Sequence, residues 1–178
     1  VTTLEMSTRL SRNCCIAFTN AGAPEILYSL IRTCNRSLPH IELLNFILHT
    51  LRNVAAHRDL VDKVATTSAA DIYLDLIQMF RDKDTIFSLA ICLLDMATLT
   101  RIELKEKCST KENLKRLRGV HSLCVRKMMG QARGPESAPL RCVSVSKRAS
   151  SYLRDREMMD RKLSVKLLHG IISRIEAD

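Results

Sequence analysis

Residues of the types that carry out catalysis are present in the sequence, but their spacing does not build a catalytic site. The run Ser144-Val145-Ser146-Lys147 fits the Ser-x-x-Lys pattern of a nucleophile and its neighbouring amine. It lies in a stretch with Gly and Pro and no helical period, so chance is the better explanation. The sequence has five His: His40, His49, His57, His121 and His169. None of them is separated from a Cys or a carboxylate residue by the spacing that metal ligands show. The sequence therefore predicts neither an enzyme nor a bound metal or cofactor.

A polar stripe on an otherwise apolar helix is the first candidate binding site. It consists of Glu42, Asn45, His49, Arg52 and Asn53. An Asn side chain has both a donor and an acceptor, so it can pair with the backbone of an extended peptide. The position that corresponds to Asn53 in the next apolar helix holds Asp95, so these amides form no ladder. The alternative is that the stripe is a solvated helix face.

A basic helix predicted over residues 111–129 is the second candidate. Its basic residues are Lys111, Lys115, Arg116, Arg118, Arg126 and Lys127. Such a face would attract an acidic surface such as the tails of tubulin, or a calmodulin-like partner that binds basic amphipathic helices. The alternatives are a solvated outer face and pairing with acidic residues of the same chain.

A modification site is the third candidate. Ser150 follows Lys147-Arg148-Ala149, the kind of basic run that basophilic kinases select. A phosphate at Ser150 would lower the local positive charge. The alternative is that Ser150 caps the last helix.

The charge of the chain is unevenly distributed. Residues 1–100 hold nine Lys or Arg and ten Asp or Glu, a net charge of −1, whereas residues 101–178 hold nineteen and nine, a net charge of +10. Between residues 59 and 95, seven Asp face three cations. An acidic middle and a basic second half favour acidic partners for the second half. Because the second half has a single aromatic residue, Tyr152, base stacking is not supported and no specific nucleic acid is predicted.

The elements that must position these residues are helices. The chain is 46% hydrophobic, with five Gly and no Trp, which favours helices over a Gly-punctuated β fold. Pro24 and Pro39 stand where helices can begin. The helix after Pro39 is apolar on most sides, so it must be covered on more than one flank. Its apolar positions are Ile41, Leu43, Leu44, Ile47, Leu48, Leu51, Val54 and Ala55.

The same order of elements recurs along the chain. Ala69-Ala70 follows Gly22-Ala23 by 47 residues, and each small-residue step leads into a short helix and then a long apolar one. A repeat of about 40–47 residues with two or three helices is typical of a HEAT or armadillo solenoid, and this order favours armadillo. We therefore predict an all-α, armadillo- or HEAT-like helical repeat, a short α-solenoid with C-terminal capping helices.

Composition divides the chain into four predicted segments. They are armadillo-like repeats over 1–100, a basic amphipathic helical segment over 101–129, a linker or mobile loop over 130–150, and a helical segment over 151–178 that docks on the repeats. Seven Cys without a Cys-x-x-Cys pair predict a reduced, intracellular protein. No apolar run approaches the about 20 residues that cross a bilayer. Because Val1 stands within a helical pattern, the chain is predicted to be a piece of a longer protein.

Several runs of residues resemble the abnormal spindle family. They are Thr8-Arg9-Leu10-Ser11, Cys14-Cys15, Leu30-Ile31-Arg32-Thr33-Cys34-Asn35-Arg36-Ser37, and Asp71-Ile72 with Leu74, Leu76 and Ile77. The resemblance is to the family's C-terminal armadillo-like region. It is specific over residues 1–100, because the Leu30 to Ser37 run is long and unusual.

The resemblance implies a module of a large protein of the mitotic spindle poles that acts at microtubule minus ends. The family's calponin-homology domains and calmodulin-binding IQ motifs lie upstream and are absent from this sequence, so calmodulin binding is not implied for it. The resemblance implies a cytoplasmic and cytoskeletal protein of the spindle pole, with the interphase nucleus as a further location.

The functional hypothesis is a non-enzymatic interaction scaffold. Its partners would be microtubules, tubulin or spindle-pole proteins, with no membrane. The alternative is a structural or oligomerisation module that positions upstream domains. In that case its basic half would pair with its own acidic middle.

Overall fold

A computed structural model describes the backbone of residues 2–131 and 145–177, and the side chains of residues 3–129 and 161–177. Within these ranges the chain forms ten helices and no strand, which confirms the all-α prediction. The helices are α1 (Thr2–Leu10), α2 (Arg12–Asn20), α3 (Ala23–Thr33), α4 (Leu38–Ala55), α5 (Val61–Val64), α6 (Ala69–Met79), α7 (Asp84–Thr100), α8 (Ile102–Ser109), α9 (Lys111–Gln131) and α10 (Val145–Glu176).

The helices pack in two rows. In the first row α1, α4, α7 and α10 lie side by side in that order, and in the second α3, α6 and α9 do the same. The rows are joined where α3 packs on α4, α6 on α7 and α9 on α10. α8 was not predicted as a separate helix within the segment 101–129; it is a short polar helix whose buried residues are Leu104 and Cys108.

Local signals fix where the first helices begin. The Ser11 hydroxyl accepts a hydrogen bond from the Cys14 amide at 3.4 Å and caps α2. Gly22 has a φ of 69°, the left-handed conformation that glycine adopts without strain, and so turns the chain from α2 into α3. Pro24 and Pro39 stand in the first turns of α3 and α4, where the N–H that proline lacks has no helical partner.

The core is centred on α4 and α7, as the apolar periods predict. Leu44, Ile47, Leu48, Leu51 and Val54 of α4 are fully buried, with 0% relative exposure. The corresponding side chains of α7 are also buried: Ile86, Ala90, Leu93, Leu94 and Ala97. Not every apolar side chain of the helices is buried: Met6 and Leu10 of α1 are 46% and 76% exposed, and Leu163 of α10 is 67% exposed.

Two buried tyrosines join α3, α5 and α6. The Tyr28 hydroxyl donates to the Val64 carbonyl at 2.6 Å, and the Tyr73 hydroxyl lies 2.6 Å from that of Tyr28. Because the Tyr28 proton is engaged by Val64, Tyr73 donates to Tyr28. Burial is the main cause that raises the pKa of both phenols, so both stay neutral and keep their hydrogen bonds.

The run Leu30 to Ser37, which carries the family resemblance, forms the end of α3 and the turn into α4. Within the turn, Asn35 Oδ1 accepts a hydrogen bond from the Ser37 amide at 2.8 Å. The Arg36 side chain extends to the turn between α6 and α7. There its guanidinium donates to the Met79 carbonyl at 2.5 Å and to both Asp82 carboxylate oxygens at 2.8 and 2.6 Å. These contacts give the run a structural role: it ties the α3–α4 turn to the α6–α7 turn.

The last helix packs along α7 in the same direction. Arg161, Ser164 and Arg174 of α10 contact residues of rising number on α7, namely Asp84, Ser88 and Asp95. The apolar side chains between them are buried: Val165, Leu168, Ile171 and Ile172. This helix begins at Val145, ahead of the predicted start at 151, and residues 132–144 of the predicted linker lie outside the described residues.

No described helix is by itself long and apolar enough to cross a membrane. By length and composition alone, two sharply bent pairs would qualify, α2 with α3 and α7 with α8.

Candidate functional site

The polar stripe of α4 divides into exposed and half-buried residues. Glu42 and Arg52 are exposed, whereas Asn45, His49 and Asn53 are half-buried. Asn53 donates to the Glu5 carbonyl at 3.3 Å and lies 3.4 Å from the Thr8 hydroxyl, so its amide binds the backbone of α1. The Asn45 side-chain oxygen is buried without a hydrogen-bond donor among the described residues.

His49 and Arg52 form one wall of a groove between α4, α7 and α10. The groove encloses about 340 Å³. Its other lining residues are Asp84, Thr85, Ser88, Leu89, Cys92, Leu163, Ser164 and Leu167. Burial lowers the pKa of His49, so its ring favours the neutral form, which both donates and accepts hydrogen bonds. The groove therefore combines apolar side chains of α7 and α10 with polar groups from all three helices, a mixed lining that a ligand-binding cleft can have.

The basic face of α9 divides into paired and unpaired cations. Arg116 donates to Asp75 at 2.5 Å and to Gln78 at 2.8 Å, which fastens α9 to α6. Arg118 donates to Glu176 of α10 at 2.7 Å. The remaining cations are exposed and have no carboxylate partner among the described side chains: Lys111, Lys115, Arg126 and Lys127. These four form what we call the open basic face.

Cations that the sequence analysis did not single out connect the basic half to the acidic middle. Lys107 lies 2.5 Å from Asp71, and Arg161 lies 2.5 Å from Asp84. Arg174 pairs with Asp95. The Arg161 side chain is only 10% exposed, and its guanidinium also lies over the Phe87 ring, 5.9 Å from the centroid. The uneven charge along the sequence was the available signal, but it did not say which residues would meet.

The remaining candidates have no described geometry that would make them sites. Ser150 lies in α10, but its side chain is outside the described side chains. Among the described residues, no three His, Cys, Asp or Glu side chains are placed to hold a metal ion. Cys14 and Cys15 are both free thiols, and burial raises the pKa of Cys15, so that thiol is kept protonated.

Fold and site together define a class: an all-helical protein of two packed rows with a shallow groove and an open basic face. Curated proteins with similar sequences narrow this class. The chain is 32% identical over 134 residues to the abnormal spindle-like microcephaly-associated protein homolog of Canis lupus familiaris, which covers 70% of this chain. It is 30% identical over 134 residues, again 70% of this chain, to the abnormal spindle-like microcephaly-associated protein of Homo sapiens.

The chain belongs to the abnormal spindle family. The matched stretch spans 4% of the length of these two relatives. For the relative from Saimiri boliviensis boliviensis the identity is 36% over 108 residues, 55% of this chain and 3% of that protein. No protein-family model matches the chain, and no solved structure matches it significantly.

Proposed function

We propose that this chain is a non-enzymatic, armadillo-like scaffold of a spindle-organising protein, which contributes to the protein's association with microtubules at the spindle pole. Family membership supports a role at the spindle, because the relatives are named for it. The recurrence of a short helix, a middle helix and a long helix supports the repeat, with α2–α3–α4, α5–α6–α7 and α8–α9–α10 as its three units.

The open basic face is the observation that carries the microtubule proposal. Lys111, Lys115, Arg126 and Lys127 remain exposed although other cations of the same half are paired. The outer surface of tubulin is acidic, so the attraction would be electrostatic and long-range. The groove between α4, α7 and α10 would serve a second, peptide-like partner.

A co-sedimentation experiment tests the microtubule proposal. Lys111, Lys115 and Arg126 are reversed to Glu together; Arg118 is left unchanged because its reversal would break the pair with Glu176. We expect co-sedimentation to be lost while the helix content measured by circular dichroism stays unchanged. Wild-type binding should also weaken as salt shortens the Debye length from about 10 Å at 0.1 M to about 3 Å at 1 M.

A control variant with the same charge change separates a site from net charge. The control reverses three exposed cations of residues 1–100 to Glu: Arg32, Arg58 and Lys63. This variant should co-sediment like the wild type. Equal loss in both variants, or salt-insensitive binding that survives the reversals on α9, would contradict the proposal.

A specific observation favours a second candidate function, a structural module that positions other domains. Ion pairs between described side chains join the basic half to the acidic middle: Lys107–Asp71, Arg116–Asp75, Arg161–Asp84 and Arg174–Asp95. In that case the isolated chain would not co-sediment with microtubules at any salt concentration, and the positive charge would serve mainly to hold the fold.

A further inference from the structure

A second concavity shares no lining residue with the groove. It is lined by Arg81, Asp82, Leu123, Cys124, Lys127 and Arg161 and encloses about 210 Å³. Three elements build it: the α6–α7 turn, the middle of α9 and the described part of α10. Three of its six lining side chains are cations, and only one is a carboxylate.

The two carboxylates near this pocket whose side chains the structure describes, Asp82 and Asp84, are both paired with cations. Asp82 is held by two hydrogen bonds from Arg36, at 2.8 and 2.6 Å, so its charge is balanced from outside the pocket. Asp84 is balanced by Arg161 at 2.5 Å. Arg81 and Lys127 have no carboxylate partner among the described side chains, so the pocket keeps a positive potential.

Arg161 is a rigid, preorganised donor at the base of this pocket. Its relative exposure is 9%, and its guanidinium is fixed by Asp84 and by the Arg81 carbonyl at 2.9 Å. Its Nε–H has no acceptor among the described residues, so the group is not saturated with hydrogen bonds. A guanidinium fixed in this way can donate two parallel hydrogen bonds to two oxygens of a phosphoryl or carboxylate group.

We propose that this pocket binds a phosphoryl group carried on a side chain of a partner protein. The two charges of a phosphoryl group match the two unpaired cations, Arg81 and Lys127. Leu123, 42% exposed, supplies an apolar wall for the residues that flank the phosphorylated one. A nucleic acid is disfavoured, because none of the lining residues is aromatic and bases would have nothing to stack on.

The proposal is tested on the whole 178-residue chain by NMR titration and isothermal titration calorimetry. The probes are inorganic phosphate, a peptide with one phosphoserine between two leucines, and the same peptide with unmodified serine, all at matched ionic strength. We expect saturable binding of the phosphopeptide and at least about tenfold weaker binding of the unmodified peptide, the factor that about 1.4 kcal/mol represents.

Two variants with equal charge change locate the site. Replacing both Arg81 and Lys127 by Gln should weaken phosphopeptide binding by at least about tenfold. Replacing Lys111 and Lys115 by Gln changes the net charge equally, outside the pocket, and should leave binding unchanged. Circular dichroism checks that each variant is folded; if the double variant is unstable, Lys127→Gln alone, an exposed substitution, supplies the test.

Three results would overturn the proposal. The first is that the variant with Arg81 and Lys127 replaced binds the phosphopeptide as tightly as the wild type does. The second is equal weakening by the Lys111 and Lys115 variant, which would show non-specific attraction. The third is binding of inorganic phosphate with no preference for the phosphopeptide, which would leave an adventitious ion only. The microtubule test keeps Lys127 and Arg81 intact, so the two proposals can fail separately.

Discussion

The two long seams of α7 are built from different interactions. Toward α4 the contact is apolar, and no side-chain hydrogen bond joins these two fully described helices. Toward α10 the contact combines buried apolar residues with polar pairs near both ends, Arg161 with Asp84 and Arg174 with Asp95. α7 is therefore held by apolar packing alone on the side of α4, and by apolar packing together with ion pairs on the side of α10.

The comparison shows how two seams of similar extent differ in what they specify. An apolar seam gains stability from every buried methylene but tolerates small shifts along the helix axis. Partly buried ion pairs add less stability, because desolvation offsets much of their attraction, but an offset of one turn would leave partly buried charges unpaired. We infer that the polar seam sets the register of α10.

The largest effect is expected on the apolar seam. Leu48→Ala or Leu51→Ala should lower the free energy of unfolding by about 2–5 kcal/mol, because each side chain is fully buried and the cavity cannot collapse. Chemical denaturation followed by circular dichroism measures it. Leu38→Ala on the same helix, at a site 69% exposed, serves as the control and should change stability by less than about 0.5 kcal/mol. Equal stability in all three variants would contradict the assignment of α4 as the buried inner helix.

A smaller effect is expected on the polar seam. Arg161→Ala should cost about 1–3 kcal/mol, because it leaves Asp84, which is 31% exposed, without its charged partner. Adding Asp84→Ala should recover part of that loss, since the uncompensated carboxylate is then removed. A double-mutant cycle measures the coupling, expected to be about 0.5–3 kcal/mol. Additive losses would show that the pair does not couple α10 to α7.

Protonation of two histidines should lower the stability of the fold gradually. They are His49, at the edge of the apolar seam, and His121 on α9. Burial lowers the pKa of His49 and of His121, so the unfolded chain binds these protons more readily than the folded chain does. Stability should therefore fall as the pH drops through the unfolded value of about 6.5. Urea unfolding at several pH values checks this. A double His49→Gln, His121→Gln variant should show a flatter dependence; an unchanged slope would contradict the prediction.

The smallest effect is expected away from both seams. Arg12 and Asp59 lie 2.7 Å apart with side chains 56% and 54% exposed, so water and salt screen their attraction. Arg12→Ala should cost less than about 1 kcal/mol, and the loss should vanish in high salt. Denaturation midpoints at low and high salt measure this. A larger, salt-independent loss would place Arg12 among the structural residues.

The contrast between the seams also explains what could be predicted from sequence. The apolar period of α4 is a local pattern, so Leu48 and Leu51 were identified as buried, and the same pattern predicted a second long apolar helix where α7 lies. The partners of Arg161 and Arg174 lie 77 and 79 residues away, and no local pattern encodes such pairs. The charge imbalance along the sequence predicted that the two halves attract each other. It did not identify the residues that form the ion pairs.

The candidate sites were limited in the same way. Asn53 was chosen for its amide, but whether that amide meets a ligand or a neighbouring helix depends on where α1 lies. The pocket lined by Arg81, Lys127 and Arg161 draws two residues from a turn, three from α9 and one from α10, so no contiguous motif marks it. Binding of a partner by Lys111 and Lys115 of the open basic face stays a proposal. Their exposure shows that they are accessible, but it does not show what they bind.

The Tyr28–Tyr73 pair gives the protein a built-in optical reporter. The chain has three tyrosines and no tryptophan, so its intrinsic emission comes from tyrosine, and these two are buried together at the junction of α3, α5 and α6. Opening that junction would expose both rings to water and release both phenols to ionise at their ordinary alkaline values. Phenolate absorbance recorded while the pH is raised would therefore follow the loosening of the second helix row without any attached label.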